Sequence, residues 1–418
     1  MKAEFTQREL ALTYRANSGR IIAALVASCS DLQLAEDALH DACLQAGKAW
    51  MDNGLPNDPA AWLYVASKRR LIDVLRAKSR KERKSAGDTL FEMEMQVSVS
   101  DEEELDIPDE RLSLIFTCCH PALSRNAQVA LTLKTLCGLT VREIARAFLV
   151  SDTTMGQRLV RAKHKLRVNA IRYLVPKKEE LGARLEAVLS VIYLIYNESY
   201  SCYEGQSLTR DDLANEAIRL ASIVCRLLPS GESKGLLALI TLHQSRRAAR
   251  CDDAMGFIAL EDQDRTQWDH QLIVKGRKLL LEALAEDQLG KYQLQAAISA
   301  VHSEAQTWAE TDWAQIIGLY RQLLLFDPSP VIRLNMLTAV AFSGGLALAK
   351  QGILALKNDL DNYLPFHVAL ADIEYRLGNK ASSISYYEHS IAMCRNSVEQ
   401  AHLKRKMQRV YVTPAVSR

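Results

Sequence analysis

Residues that favour strands are scarce in this 418-residue chain, and apolar side chains recur at helical spacing nearly everywhere. Leu, Ala, Arg, Glu and Gln dominate. Patterning of this kind predicts an all-α fold, because a 3.6-residue period places apolar groups along one stripe of a helix and on no single face of a strand. The length sets a prior of two to three domains. No apolar run approaches the length of a membrane span, and the longest clean one, Gly235 to Leu242, suits a core helix. The first ten residues carry Lys2, Glu4, Arg8 and Glu9 and no apolar core, so no secretion signal is expected. Nine cysteines, an odd number set mostly within apolar helical patterns, point to a reducing cytoplasm rather than a disulfide framework.

A net charge of +2 conceals strong segregation. Residues 1–86 hold 14 basic and 10 acidic groups, residues 87–110 hold 10 acidic and no basic groups, and residues 111–175 hold 11 basic and 2 acidic groups. The rest is nearly neutral. Within the first segment the cations concentrate at Lys68, Arg69, Arg70, Arg76, Lys78, Arg80, Lys81, Arg83 and Lys84. Two basic patches on separate small domains suit a polyanion touched at two places, or else two solvated basic faces.

The segments read as domains. Residues 1–86 form a compact helical domain, broken at Asp52–Pro59, where a helix restarts on proline. Residues 87–110 are an acidic linker centred on Asp101–Glu104, without periodicity. Residues 111–175 form a second small helical domain, and Pro176-Lys177-Lys178 marks its end. From 180 to 410, helical segments joined by short turns read as stacked hairpins. There, Leu377-Gly378 followed by Tyr387 and Ser390 resembles the tetratricopeptide (TPR) spacing, and Asp327-Pro328-Ser329-Pro330 reads as a repeat ending.

The most specific local signal runs from Leu139 to Met155 and predicts a helix-turn-helix. Ala145 is the small residue at the helix crossing, and Ser151 or Asp152 caps the second helix. That helix has an apolar stripe of Met155, Leu159, Ala162 and Leu166. Its other face presents Thr154, Gln157, Arg161, His164 and Lys165, with Arg158 at the edge, a front suited to the major groove. Lys163, Lys165 and Arg167, towards its end, suit phosphates. Leu149 stands where the turn usually has glycine.

Taken together, residues 5–175 resemble a bacterial extracytoplasmic-function (group IV) sigma factor of RNA polymerase. Asp31 to Ala42 is similar to that family's polymerase-clamp helix, Asn57 to Arg76 to its −10 helix, and the helix-turn-helix, ending Arg158 to Lys163, to its −35 reader. Phe116 to Leu123, Ala217 to Leu220, Leu260 to Arg265 and Tyr292 to Ile298 resemble the subgroup with a long tetratricopeptide-like C-terminal extension. The resemblance implies a cytoplasmic protein, not an enzyme, without cofactor or metal. It implies contact with the clamp and flap regions of core RNA polymerase, with double-stranded promoter DNA and with the melted −10 strand, and with no membrane. It also implies that the extension modulates activity through contacts with the sigma domains, in place of a separate membrane anti-sigma factor.

Those roles map onto residues. Glu36, Asp37 and Asp41 form an acidic face for polymerase cations. Trp62 and Tyr64, beside Asn57, Lys68, Arg69, Arg70 and Arg76, suit an unpaired −10 strand that needs stacking surfaces and backbone cations. The loop 53–58 suits one extruded base; Trp62 as a core residue is the competing reading. Thr154, Gln157, Arg158, Arg161, Lys163 and Lys165 are the −35 contacts. The acidic linker is expected to screen a basic patch or to occupy the nucleic-acid cleft of polymerase. Cys118-Cys119-His120 suits a tetrahedral metal poorly, because neighbouring sulfurs rarely point the same way, and helix-end packing is expected. Glu261, Asp262, Asp264, Arg265 and Trp268 fit either a ligand groove or interhelix salt bridges. No phosphate loop, dinucleotide fingerprint or hydrolase elbow is present. A stand-alone helix-turn-helix regulator with a ligand- or peptide-sensing repeat domain is the alternative, and a helical scaffold whose basic half is incidental is the third.

Overall fold

The computed structural model describes residues 2–86, 109–148, 150–199, 209–252, 256–286, 288–394 and 397–412. The acidic linker up to residue 108, and Leu149, lie outside the described residues. The fold is all-α as the periodicity predicts; among the described residues the extended backbone amounts to a two-residue antiparallel hairpin pairing Cys251 with Phe257. No helix is long and apolar enough to cross a membrane among those residues. The chain divides into two compact units, Met1–Ile195 and Tyr196–Arg418.

The N-terminal unit contains α1 (Lys2–Cys29), α2 (Leu32–Asn53), α3 (Pro59–Ala86), α4 (Arg111–Cys118), α5 (Arg125–Thr135), α6 (Val141–Ala147) and α7 (Asp152–Val168), and α8 (Lys178–Ser199) runs to its boundary. Local chemistry sets the ends of these helices. The Asp31 carboxylate accepts from the backbone N–H of Gln33 and Leu34 at 2.9 and 3.1 Å and starts α2. Gly54, at φ 88°, closes α2 by donating its N–H to the Trp50 carbonyl. Asp58 accepts from Ala61 N at 2.9 Å at the head of α3. Ile21, Ile22 and Leu25 of α1, Leu39 and Trp50 of α2 and Leu63 and Leu71 of α3 are buried, as are Leu114 and Phe116 of α4. The two basic segments, expected as separate domains, therefore share one unit. A Cβ on Gly19 of α1 would stand 2.5 Å from the Leu136 carbonyl oxygen, and one on Gly138 would stand 2.6 Å from Ser18 Oγ. At Gly19 only glycine permits the two backbones to come this close.

The C-terminal unit contains α9 (Thr209–Leu227), α10 (Gly231–Ser245), α11 (His270–Leu284), α12 (Lys291–Glu304), α13 (Trp313–Phe326), α14 (Pro330–Phe342), α15 (Leu346–Leu354), α16 (Lys357–Leu360), α17 (Leu364–Arg376), α18 (Lys380–Met393) and α19 (Ser397–Val412). The expected breaks are present. α13 stops at Phe326, Ser329 caps α14 by accepting from Val331 N at 3.2 Å, and Pro330 opens it. Gly378 takes the left-handed turn after α17, and Tyr387 of α18 is buried with its hydroxyl donating to Asp372.

The charged stretch after Leu260 resolves into structural pairs. Glu261 and Asp262 reach Lys406 and Arg409 of α19 at 3.0 and 3.7 Å. Arg265 donates to the carbonyls of His302 and Ala305 at 2.9 and 2.7 Å, capping α12 where the helix dipole is negative. His302 lies against Trp308 and Trp313, with ring centroids at 6.1 and 5.5 Å. Burial, then the Arg246 and Arg265 charges, hold its imidazole at about 3, so it stays neutral in the fold. The unfolded chain takes up a proton near pH 6.5 and the folded chain does not. This stability is therefore complete above 6.5 and is lost as pH falls towards 3. The expected loss is about 1.4 kcal/mol per pH unit, read by denaturant titration of the whole chain at successive pH values. His302→Phe, which keeps the aromatic packing, should flatten that slope.

Candidate promoter and polymerase interface

The helix-turn-helix is built from its caps outward. Thr140 and Glu143 close the head of α6 reciprocally: Thr140 N donates to Glu143 Oε2 at 2.7 Å, and Glu143 N donates to Thr140 Oγ1 at 3.2 Å. Val150 N returns to the Ala145 carbonyl at 3.0 Å, and Ala145 is fully buried at the crossing. Ser151 caps α7 by accepting from Thr154 N at 3.1 Å. The expected stripe, Met155, Leu159, Ala162 and Leu166, is buried throughout. The expected front, Thr154, Gln157, Arg161 and Lys165, is exposed along with His164 and Arg167. Arg158 is half-buried with its guanidinium 5.8 Å from the Phe148 ring, which holds it at the edge. Lys163 is turned away from this front and ion-pairs with Glu36 of α2.

Gly156 went unremarked in the sequence. It lies in the first turns of α7, and a Cβ built there meets nothing within 4 Å. Gly156→Ala should stabilise the N-terminal unit by about 0.5–1 kcal/mol through helix propensity alone, read as a raised denaturant midpoint. Weaker promoter binding by that more stable variant would show that DNA backbone fills the open space.

The second face lies on α2 and α3. Trp62 packs edge-on against Trp50, ring centroids 5.7 Å apart, and stays half-buried. It lines a cleft of about 600 Å³ with Gln45, Pro56, Asp58, Arg69 and Arg70. Asn57 is exposed at the mouth of α3. Arg69, Arg70 and Arg76 are exposed, and Lys68 is half-buried with its ammonium 5.8 Å from the Tyr64 ring. Tyr64 corrects the expectation. At 5% exposure it belongs to the core with Leu63, Ser67 and Leu71, and burial pushes its phenol pKa up, so it offers no stacking surface.

On α2, Asp37 is exposed and accepts from Gln33 Nε2 at 2.8 Å. Asp41 is half-buried and receives Arg70 Nε at 2.6 Å, an exposed pair worth little to stability. Glu36 is largely buried by its pairing with Lys163, its side chain only 12% exposed. Leu44 and Met51, 60% and 39% exposed, continue the stripe of Asp37 and Asp41 at helical spacing. The face is thus acidic at one end and apolar at the other.

Cys118 and Cys119 are fully buried, and burial raises both thiols, Cys119 to about 12. Gln128 Nε2 donates to the Cys119 and His120 carbonyls at 3.2 and 2.9 Å, and His120 Nδ1 accepts from Ala122 N at 3.1 Å. The three residues close the end of α4. Among the described residues, no group of three or more His, Cys, Asp or Glu side chains is placed to hold a metal.

Comparison with known proteins agrees with this geometry. Residues 13–81 match Sigma-70 region 2, residues 113–166 match Sigma-70 region 4, and residues 184–284 match a family of unknown function, DUF6596. An uncharacterised protein of Rhizobium meliloti is 36% identical over 402 residues, covering 94% of this chain and 93% of its own. No solved structure matches. Region 2 coincides with the α2–α3 faces and region 4 with the helix-turn-helix, and the chain belongs to the extracytoplasmic-function type of sigma factors, extended by a helical C-terminal part.

Proposed function

We propose that the chain docks on the core polymerase clamp through Glu36, Asp37, Asp41, Leu44 and Met51, reads the −35 element with Thr154, Gln157, Arg158 and Arg161, and holds the melted −10 strand at the Trp62 cleft. Lys163 and Lys165 bind phosphates beside the −35 element, and Lys68, Arg69, Arg70 and Arg76 bind them along the −10 strand. Asn57 stands at the entrance to that cleft. Region 4 seats on the polymerase flap. The C-terminal unit, stacked like tetratricopeptide repeats, modulates initiation by contacting the sigma regions, and the protein works in the cytoplasm without cofactor chemistry. The observation that supports this reading best is α7, whose buried stripe and Thr/Gln/Arg front are those of a major-groove helix.

The test is transcription in vitro with core polymerase from the same organism on fragmented genomic DNA. Start sites that depend on this chain, and share two spaced motifs, are the expected result. Arg161→Ala should weaken promoter binding by about 1–3 kcal/mol and relax preference at one −35 position. A chain that neither directs new start sites nor binds core polymerase would be a DNA-binding regulator instead.

A further inference from the structure

Helices α17 and α18 pack against each other and bring together two histidines 22 residues apart, His367 and His389. Their ring centroids are 4.3 Å apart, with the ring planes at 55°. His389 is exposed, whereas His367 is only 5% exposed.

His367 Nε2 lies 2.7 Å from the Asp361 carbonyl oxygen, at the end of α16. A carbonyl only accepts, so Nε2 carries the ring proton, and Nδ1 of the neutral ring keeps its lone pair. Nδ1 is buried and has no hydrogen-bond partner. Filling an empty buried acceptor recovers free energy. A backbone carbonyl that holds one ring nitrogen, and so fixes the tautomer and the ring orientation, is the support that metal-ligating histidines almost always have. The separation of the rings fits as well. Two imidazoles that share one ion at about 2.1 Å per nitrogen, at a ligand angle between a right angle and the tetrahedral one, have centroids on the order of 4.5–5 Å apart. The pair stands a few tenths of an ångström inside that range, and the ring on the surface, His389, is free to turn outward.

We propose that His367 Nδ1 and the His389 imidazole bind a late first-row divalent ion, Ni²⁺, Cu²⁺ or Zn²⁺. Paired imidazoles select these ions over Mg²⁺ and Ca²⁺, which take oxygen ligands. Among the described residues no third His, Cys, Asp or Glu side chain completes the set. Water fills the remaining positions, and the ion exchanges with solvent on the His389 side. Such an ion is a reversible staple. It ties α18 to α17 and, through the Asp361 carbonyl, to the end of α16, beside the buried Leu360, Phe366 and Leu370. It takes part in no reaction. The site gives the helical C-terminal part a metal input of its own, and it stands whether or not the sigma reading holds.

The test is isothermal titration of the full chain, purified with chelator and then freed of it, with Ni²⁺ as the probe. The chain has nine histidines and nine cysteines, so the result is read as a difference from a variant. His389→Gln removes an exposed ring and should leave the metal-free denaturant midpoint unchanged. It should weaken one Ni²⁺ site by about tenfold to a hundredfold or more. His367→Gln should lose the same site. Saturating Ni²⁺ should raise the denaturant midpoint of the parent and leave that of His389→Gln where it was. Zn²⁺ should compete for the site, and Mg²⁺ in large excess should not. Equal Ni²⁺ stoichiometry and affinity in the parent and His389→Gln overturn the proposal. A parent that binds no Ni²⁺ also overturns it. Neither result touches the sigma reading, which transcription with core polymerase tests separately.

Discussion

Lys406→Ala is expected to destabilise the C-terminal unit by about 2–4 kcal/mol. The ammonium sits between Asp372 and Glu261 at 2.9 and 3.0 Å, and its side chain is only 11% exposed. Tyr387 donates to the other oxygen of Asp372. One cation therefore ties α17, α18 and α19 to the turn at 260–262. Alanine leaves two carboxylates facing each other with no counter-charge. They retain about 30% exposure, so the loss falls below that of a fully buried pair. Arg409→Ala is the control. Its contact with Asp262 is 3.7 Å long and well exposed, and its removal should change the denaturant midpoint by less than about 0.5 kcal/mol. A pH series gives the sign independently. The two carboxylates raise the Lys406 pKa against the opposing effect of burial. Its contribution is therefore present below the ordinary lysine value of about 10.5 and is lost as pH rises through the higher folded value. Equal midpoints for Lys406→Ala and the parent would mean that packing around Tyr387 alone holds the C-terminal helix.

What the sequence made legible was local. The α7 stripe repeats within one helix, so Met155, Leu159, Ala162 and Leu166 could be placed in the core from spacing alone, and the exposed front followed from the same rotation. The stop at Asp327 and restart at Pro330 were legible for the same reason. What was hidden depended on neighbours far along the chain. Tyr64 reads as surface because cations follow it, yet α3 turns it inward with Leu63, Ser67 and Leu71. Arg70 and Asp41 are 29 residues apart, and Lys163 and Glu36 are 127 apart, so charge counts by segment treat as independent what the fold pairs. Leu44 and Met51 were missed although their period was visible; an apolar residue on an acidic stripe looks incidental until its exposure is known. Gly19 was the remaining signal. A glycine within a long helix weakens it, and here the gain is close approach between helices that the acidic linker made appear separate.

The pairing of Arg70 and Lys163 with acids also bears on how promoter binding should respond to salt. A side-chain cation that meets a phosphate releases a cation condensed on the nucleic acid there, and the slope of log Kobs against log salt counts such releases, about 0.9 per contact on duplex and 0.7 on single strand. Lys68 and Arg76 on the −10 face and Lys165 and Arg167 on the −35 face should together account for a slope of about −3. A fourfold rise from 50 to 200 mM salt then costs about 100-fold in affinity through these four residues. Arg70 and Lys163 behave differently. In the free chain Asp41 and Glu36 neutralise them, so each reaches a phosphate only after its pair has opened, and each then releases a condensed cation like the other four. Alanine at Lys68, Arg76, Lys165 and Arg167 should therefore flatten the holoenzyme's salt dependence by about 3 relative to the parent, and Arg70→Ala with Lys163→Ala should flatten it by about 1.6 once polymerase has taken Asp41 and Glu36. Anisotropy of labelled promoter DNA across a salt series reads both. A double variant that weakens binding with no change in slope would mean that Asp41 and Glu36 still hold Arg70 and Lys163 in the holoenzyme, and that neither cation reaches a phosphate.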